Sequence, residues 1–175
     1  HQSKPTIMKR LLIAVAASLL AMASFAQSTP QEFIQKAKAR TGYGYYQGAI
    51  ADLSKAISME ATYVPAYVER GIVRQQSGDQ KGALVDFDMA IAIDPSYVRA
   101  LNARGTLLME MDKIDEAIAD FDNAIKQMPT YGNAFLNRGK AKLKKGDKDG
   151  ACIDFDNAAL YGKQKALDLK KKSCY

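Results

Sequence analysis

The hydrophobic pattern of the chain from residue 30 onward is that of short amphipathic α-helices. Between residues 97 and 129, apolar residues recur at i, i+3, i+4 and i+7, the spacing at which side chains share one face of a helix. A polar break at Asp112 divides this stretch into two segments, and Met128-Pro129 ends it, because proline cannot continue a helix. The pattern predicts a hairpin of two helices and no β-strand.

The same hairpin pattern occurs four times. The Arg-Gly pair at residues 104–105 recurs 34 residues earlier and 34 residues later, and so does the Asp-Phe-Asp segment at residues 120–122. A looser copy of the second segment lies at residues 51–57. A fixed period of this length is typical of proteins built by stacking helix pairs.

Small and large apolar residues are distributed between the two helices in a way that favours close packing. In the second helix of each unit, alanines flank one phenylalanine or leucine, and the first helix carries alanine or glycine at a fixed position. Small residues let two helix backbones approach closely, and a large side chain then fills the notch. The small residues are Ala37, Gly71, Gly105 and Gly139, and the large residues are Leu53, Phe87, Phe121 and Phe155.

These motifs resemble the tetratricopeptide repeat family, whose units are helix pairs of this length. On this resemblance the repeats span residues 30–63, 64–97, 98–131 and 132–165. The first repeat is the most divergent, with Lys36-Ala37 in place of Arg-Gly. An amphipathic segment at about 164–174 is interpreted as a cap, which terminal repeats need. The resemblance implies an all-α fold, a right-handed α-solenoid of four helix-turn-helix repeats plus a C-terminal capping helix.

The segment before the repeats has the features of a secretion signal. Lys9-Arg10 precede an apolar run at residues 11–23, and Ser24-Phe25-Ala26 supplies small residues for a cleavage site. The apolar run is shorter than the roughly 20 residues that span a bilayer, so a removable leader is favoured over a membrane anchor.

We therefore interpret residues 1–26 as a leader, in which a signal peptide from Met8 to Ala26 follows the additional residues 1–7. Cleavage is expected between Ala26 and Gln27, and the repeats are expected to be periplasmic or secreted. No stable membrane span is expected after the leader is removed.

The positive charge of the chain is concentrated at its C-terminal end. Residues 27–131 hold 11 basic and 14 acidic side chains, whereas residues 132–175 hold 11 basic and 5 acidic ones. A solvated lysine surface is the favoured interpretation, and the alternatives are an acidic peptide, an anionic lipid or a nucleic acid as partner. For an exported protein, nucleic acid is not expected.

Residues that enzymes commonly use are missing from the repeats. The one histidine, His1, lies before the predicted cleavage site, which removes His-based acid–base catalysis and nucleophile–His pairs. The sequence has neither metal-ligand spacing of cysteine and histidine nor a glycine-rich phosphate loop. The aspartates of the repeated Asp-Phe-Asp segment lack calcium-loop geometry, and we interpret them as a polar outer face. We predict no enzyme activity, no cofactor and no metal site, and a small-molecule ligand is not expected.

An arginine recurs in phase with an aspartate in three of the units. Considered alone, a repeated arginine suggests a catalytic or phosphate-binding group, but its periodic recurrence favours a structural role. We expect each arginine to brace neighbouring helices through an aspartate. The residues concerned are Arg70, Arg104, Arg138, Asp86, Asp120 and Asp154.

The two cysteines, Cys152 and Cys174, are expected to meet at the C-terminal end. Cys152 takes a position that is apolar in the other units and faces the next helix of the stack. That next helix is the cap, which carries Cys174. In an oxidising compartment a disulfide is favoured over a buried thiol and a free one.

Three tyrosines, Tyr43, Tyr45 and Tyr46, surround Gly44 in the turn of the first unit. Packing of the rings on the second helix of the same unit is favoured over an exposed adhesive surface.

In the tetratricopeptide repeat family the first helices line a concave groove, and the resemblance therefore implies where a ligand binds. The positions form a mixed surface of amides, charges and aliphatic groups, which suits an extended peptide or a helix. The family's clamp for a C-terminal carboxylate is not reproduced, because Ile34, Glu69 and Ala103 occupy three of its positions. The residues assigned to the groove are Lys38, Val68, Glu69, Ile72, Arg99, Asn102, Thr106, Asn133, Asn137 and Lys140.

Two functions are compatible with these observations. The first is a protein–protein interaction scaffold that binds a peptide or helix of another cell-envelope protein in the groove. The alternative is a structural or assembly subunit of an envelope complex that acts through its convex face or by self-association. Both predict a protein or peptide partner.

Overall fold

A computed structural model describes residues 28–174, and the predicted leader lies outside these residues. The described part of the chain contains α-helices and turns and no β-strand. Its helices, in chain order, are α1 (Pro30–Gly42), α2 (Tyr46–Met59), α3 (Val64–Gln76), α4 (Gln80–Ile93), α5 (Val98–Glu110), α6 (Ile114–Gln127), α7 (Gly132–Lys145), α8 (Lys148–Leu160) and α9 (Lys165–Cys174).

The helix ends follow from local sequence. At the start of α1, the Thr29 side chain accepts a hydrogen bond from the backbone N–H of Glu32, and Pro30 occupies the first turn, where its missing N–H costs nothing. The turn after α7 contains Gly146 at φ 90°, a left-handed conformation that glycine adopts without strain. At the corresponding bend after α5, Asp112 adopts φ 63°. Four helix pairs result, followed by α9.

The two helices of each pair are held together by a large side chain seated in a notch. Phe121 of α6 is fully buried against Gly105 of α5, and a Cβ on Gly105 would lie 2.7 Å from one atom of that ring. Gly71 with Phe87 and Gly139 with Phe155 repeat this arrangement. The packing predicted from the sequence is therefore the packing observed, and the all-α repeat solenoid is confirmed.

The first helix pair of the stack shows the same contact with different residues. There the small residue is Ala37, which is 1% exposed, and the large residue is Leu53, which is fully buried in the same cluster. An alanine occupies more of the notch than a glycine does, and leucine fills less of it than phenylalanine. The divergent unit thus keeps its packing by a compensating pair of changes.

The stack has an inner and an outer side. The first helices of successive pairs contact one another directly, as α1 with α3, α3 with α5, and α5 with α7. Among the residues described, the second helices share no contact of similar extent. The first helices therefore lie on the inside of the curve, and we call the surface that they form the inner face.

Two expectations about exposure are wrong. Tyr43 and Tyr45 do not pack on α2: they are 80% and 68% exposed, and only Tyr46 packs against the core. The first aspartate of each Asp-Phe-Asp segment is not on an outer face either, since Asp86, Asp120 and Asp154 are buried. The physical reason for this burial is the arginine that each carboxylate meets.

Candidate functional site

The repeated arginines join each helix pair to its neighbour. Arg104 of α5 donates through Nε and Nη2 to both oxygens of Asp120 in α6, at 2.8 and 2.7 Å. Its Nη1 donates to Asp88 of the preceding pair at 2.8 Å. These bonds, above all those to Asp120, raise the pKa of Arg104 above its ordinary value, so the group stays charged at any working pH. The bonds between Arg138, Asp154 and Asp122 have the same form.

The number of cations at each buried carboxylate differs from pair to pair. Asp86 meets Arg74 as well as Arg70, with 2.8 Å between Arg74 Nη1 and Oδ2. Asp154 likewise meets Lys142 as well as its arginine. In the third pair the corresponding residue is Leu108, so Arg104 is the only cation within salt-bridge distance of Asp120 in the described residues. The arginines therefore have a bracing geometry, and one of them has no substitute.

The first pair lacks the bracing arginine and uses another. Lys36 stands at that position, and Arg40, one turn later, lies with Nη1 3.0 Å from Oδ2 of Asp52. The same Nη1 donates to the backbone oxygen of Gly48 at 3.0 Å. The orientation of Arg40 does not give Asp52 Oδ2 a hydrogen bond, so this contact is an ion pair only.

A carboxylate on the inner face links three first helices. Glu69 of α3 accepts from Arg99 of α5 at 2.8 Å, and its Oε1 lies 3.2 Å from Nζ of Lys38 in α1. Burial lowers the pKa of Arg99, but the hydrogen bonds and charges of Glu69 and Tyr97 together outweigh that effect, and the pKa is raised. Glu69 is 8% exposed, so it serves the stack and presents little surface to a ligand.

The amides of the predicted groove are engaged with one another. Asn137 of α7 donates through Nδ2 to Oδ1 of Asn102 in α5 at 3.0 Å, and the same nitrogen lies 3.3 Å from Thr106 Oγ1. The Thr106 hydroxyl in turn donates to the backbone oxygen of Asn102. These residues lie on the inner face, as predicted, but they also hold two first helices together.

The remaining predicted groove residues divide between core and surface. Val68 is fully buried in a cluster with Ala100, so its assignment to the groove is wrong: the neighbouring first helix covers it. Ile72 is half-buried and packs against the same cluster. The residues of the set that are accessible on the inner face are Lys38, Arg99, Asn102, Thr106, Asn133, Asn137 and Lys140.

A disulfide closes the C-terminal end of the stack. Cys152 of α8 and Cys174 of α9 are joined, with their Cα atoms 6.1 Å apart. The bond ties the capping helix to the last pair, and Ala166 of α9 is fully buried in the cluster around Phe155.

A recess lies between α7 and α9, and sequence analysis did not find it. α9 packs along α8 but shares no contact with α7 as extensive as those between successive first helices. The space left has a volume of about 430 Å³, and we call it the end pocket. Leu136 and Lys140 of α7 line it, together with Lys165, Asp168, Leu169 and Lys172 of α9. Only the basic composition of residues 132–175 pointed to this region in advance.

Neither a metal-binding cluster nor a membrane-spanning helix is found among the residues that the structure describes. Between residues 28 and 174, no three His, Cys, Asp or Glu side chains are grouped so that they could hold a metal ion. In the same range, every helix is too short or too polar to cross a bilayer.

Comparison with known proteins supports the repeat fold. The family profile described as tetratricopeptide repeat matches residues 98–130. A crystal structure of MamA is 23% identical, with a TM-score of 0.67 and coverage of 84% of this chain and 86% of that chain. The structure of PilF from Pseudomonas aeruginosa is 21% identical, with a TM-score of 0.71 and coverage of 82% and 69%.

A third similar structure includes a peptide. The first tetratricopeptide repeat domain of Spaghetti (RPAP3), solved bound to a peptide of HSP90, is 19% identical, with a TM-score of 0.62 and coverage of 67% of this chain and 94% of that chain. At this level of identity the likeness concerns the fold. Comparison with curated proteins gives no significant match.

Proposed function

We propose that this chain, in which residues 98–130 match the tetratricopeptide repeat profile, is a non-enzymatic scaffold that binds a peptide or helix of another protein on its inner face. The observation that carries the proposal is the arrangement of the first helices, which stand side by side and form one continuous surface. That surface presents lysine, arginine, amide and hydroxyl groups on a buried framework. Such a surface suits recognition of a backbone and a few side chains.

The bracing contacts give this surface a fixed shape. The Glu69 ion pairs and the Asn102–Asn137 hydrogen bond connect adjacent first helices, and Arg104 and Arg138 connect adjacent pairs. A preorganised surface loses little conformational entropy on binding, which favours affinity. The peptide in the RPAP3 structure is a precedent for peptide binding by a domain of this fold.

The location of the partner is part of the proposal. The predicted leader points to export, and a disulfide persists in oxidising compartments but is rare in the cytosol. We therefore place the binding partner in the cell envelope or outside the cell.

Capture of the partner by two surface variants of the whole chain tests the proposal. In Gln35→Arg/Asn133→Arg, both changes lie on first helices, and neither residue has a side-chain partner in residues 28–174. In the matched variant Val85→Lys/Ile153→Lys, both changes lie on exposed positions of second helices. Binding on the inner face predicts that the first variant loses the proteins that the wild-type chain captures and that the second retains them. The opposite result would refute the proposal.

A specific observation favours a second candidate, assembly through the outer side. Val85 and Met89 are exposed four residues apart on α4, and Ile153 and Leu160 are exposed seven residues apart on α8. Each pair shares one face of its helix and presents apolar surface to solvent. If these residues mediate self-association, light scattering will show an oligomer of the wild-type chain that Val85→Lys/Ile153→Lys converts to monomer.

A further inference from the structure

We propose that the end pocket is the subsite for an acidic segment of the partner, one that carries an apolar side chain between carboxylates. The inference rests on the proposed function and deepens it, because Leu136 and Lys140 belong to the last first helix of the inner face. It specifies which kind of ligand group binds at one end of the inner face, which the list of groove residues does not.

The shape of the end pocket follows from the way the stack ends. Between α1 and α7, each first helix is contacted by the next first helix. α9 instead follows α8, to which its last turn is tied by Cys174. The space beside α7 is consequently unfilled. Its volume of about 430 Å³ falls within the range of sites that accept a small ligand or a few side chains.

The floor and rim of the end pocket differ in chemistry. Leu136 and Leu169 are half-buried and supply an apolar floor. Lys140, Lys165 and Lys172 stand around it with Asp168 as the one acid of the lining. An apolar floor and a cationic rim together favour a ligand with one apolar group flanked by negative charges.

The three rim lysines differ from three other lysines of α7 and α9, which already have a carboxylate partner within the chain. Lys142, Lys145 and Lys170 each lie within 2.6 to 2.9 Å of a carboxylate oxygen. Lys140, Lys165 and Lys172 have no ion pair with any residue between 28 and 174. A carboxylate of a partner could therefore bind these ammonium groups without breaking an ion pair within the chain.

The position of the recess favours a peptide over a membrane surface. The recess lies between two helices at the end of the inner face, and an extended chain can enter it. A planar bilayer would contact only the outermost lysines and leave the leucine floor uncovered. Of the anionic partners, an acidic peptide is the one that uses both the apolar and the charged parts.

Binding of a labelled acidic peptide to the full chain tests the inference. The probe is a fluorescent peptide with one leucine flanked by glutamates, measured by fluorescence anisotropy. We expect Lys140→Glu/Lys172→Glu to weaken its binding by about tenfold or more, since each lost contact of about 1.4 kcal/mol corresponds to a factor of ten. Lys126→Glu/Lys148→Glu changes the net charge equally at exposed outer positions and should bind as the wild type does.

Further arms test each part of the inference. A probe with glutamine in place of glutamate, or serine in place of leucine, should bind more weakly by a similar factor. Reduction of the disulfide should also weaken binding, because α9 supplies four of the six lining residues. Circular dichroism of each variant checks that it is folded.

Several results would overturn the inference. One is equal binding by wild type and Lys140→Glu/Lys172→Glu; another is equal binding of the glutamate and glutamine probes. Lysine-dependent binding to vesicles of anionic phospholipid, without binding of the peptide, would identify a membrane as the partner and also overturn it. If the peptide fails but the inner-face variant Gln35→Arg/Asn133→Arg still loses the captured protein, the proposed function stands and only the end-pocket inference fails.

Discussion

Replacing Gly105 by alanine adds one methyl group at a point where the Phe121 ring already lies. The new Cβ would be 2.7 Å from Cε1 and 3.0 Å from Cζ of that ring, whereas carbon atoms are most stable at about 3.5–4.0 Å. Phe121 is fully buried, so the ring cannot move aside without displacing its neighbours. Overpacking of this kind lowers the free energy of unfolding by about 1–3 kcal/mol. The higher helix propensity of alanine raises it by about 0.5–1 kcal/mol. We expect a net loss of stability of about 1 kcal/mol.

The first helix pair indicates how the loss can be recovered. There Ala37 faces Leu53, so the double variant Gly105→Ala/Phe121→Leu reproduces a combination that the chain already uses. Phe121→Leu alone should cost about 1–2 kcal/mol, because it leaves a cavity. In the double variant the methyl group occupies part of that cavity. The double variant should therefore be less destabilised than the sum of the single ones by about 2 kcal/mol.

Guanidinium denaturation monitored by far-UV circular dichroism measures this coupling. Gly42→Ala is the matched control: Gly42 is also helical, but a Cβ there meets nothing within 4 Å, so this change should be neutral or slightly stabilising. Additivity of the two single changes within about 0.5 kcal/mol would refute the notch as the basis of packing. A broadened transition would show that the affected pair unfolds separately, as repeat arrays allow.

Three further predictions concern the contacts between helices. Arg104→Ala should lower the free energy of unfolding by about 3–5 kcal/mol, because it leaves the buried carboxylate of Asp120 with no cation. Arg70→Ala should lower it by only about 1–2 kcal/mol, since Arg74 still pairs with Asp86; equal losses in denaturation would contradict the geometry. Asn137→Ala should cost about 1 kcal/mol and Asn133→Ala, which loses no described contact, less than about 0.5 kcal/mol, as comparison of their melting curves will show. Reduction of the disulfide, which closes a loop of 22 residues, should cost about 3 kcal/mol and increase hydrogen exchange in the capping helix; unchanged exchange would contradict the tether.

The fold was predictable because its determinants are local and periodic. The spacing of Gly105 and Phe121 repeats at the same offset in three pairs, and the structure places each phenylalanine in its notch. The arginine–aspartate pairs were also predicted from their phase. The sequence did not indicate which aspartates are buried, since Asp120 and Asp122 are identical in type and only two residues apart. Their difference depends on the direction in which the neighbouring helix lies.

The candidate site was less predictable, because its surface depends on how helices from different pairs pack. Val68 occupies a groove position by alignment, yet the next first helix covers it with Ala100. Asn102 and Asn137 lie 35 residues apart, and their hydrogen bond depends on the closeness of α5 and α7. The end pocket depends on the placement of α9, which no repeated motif specifies. The exposure of Tyr43 depends on an irregular turn that the repeat pattern does not describe.

Site-specific photo-crosslinking in living cells tests most directly whether partners bind on the inner face. A photoreactive amino acid is introduced at Asn133 on α7 or at Val85 on α4 in the full chain, which places the probe on the inner or the outer side. Binding on the inner face predicts a crosslinked product with a second protein from position 133 and none from position 85. A product from position 85 alone would contradict the account and place the interaction on the outer helices.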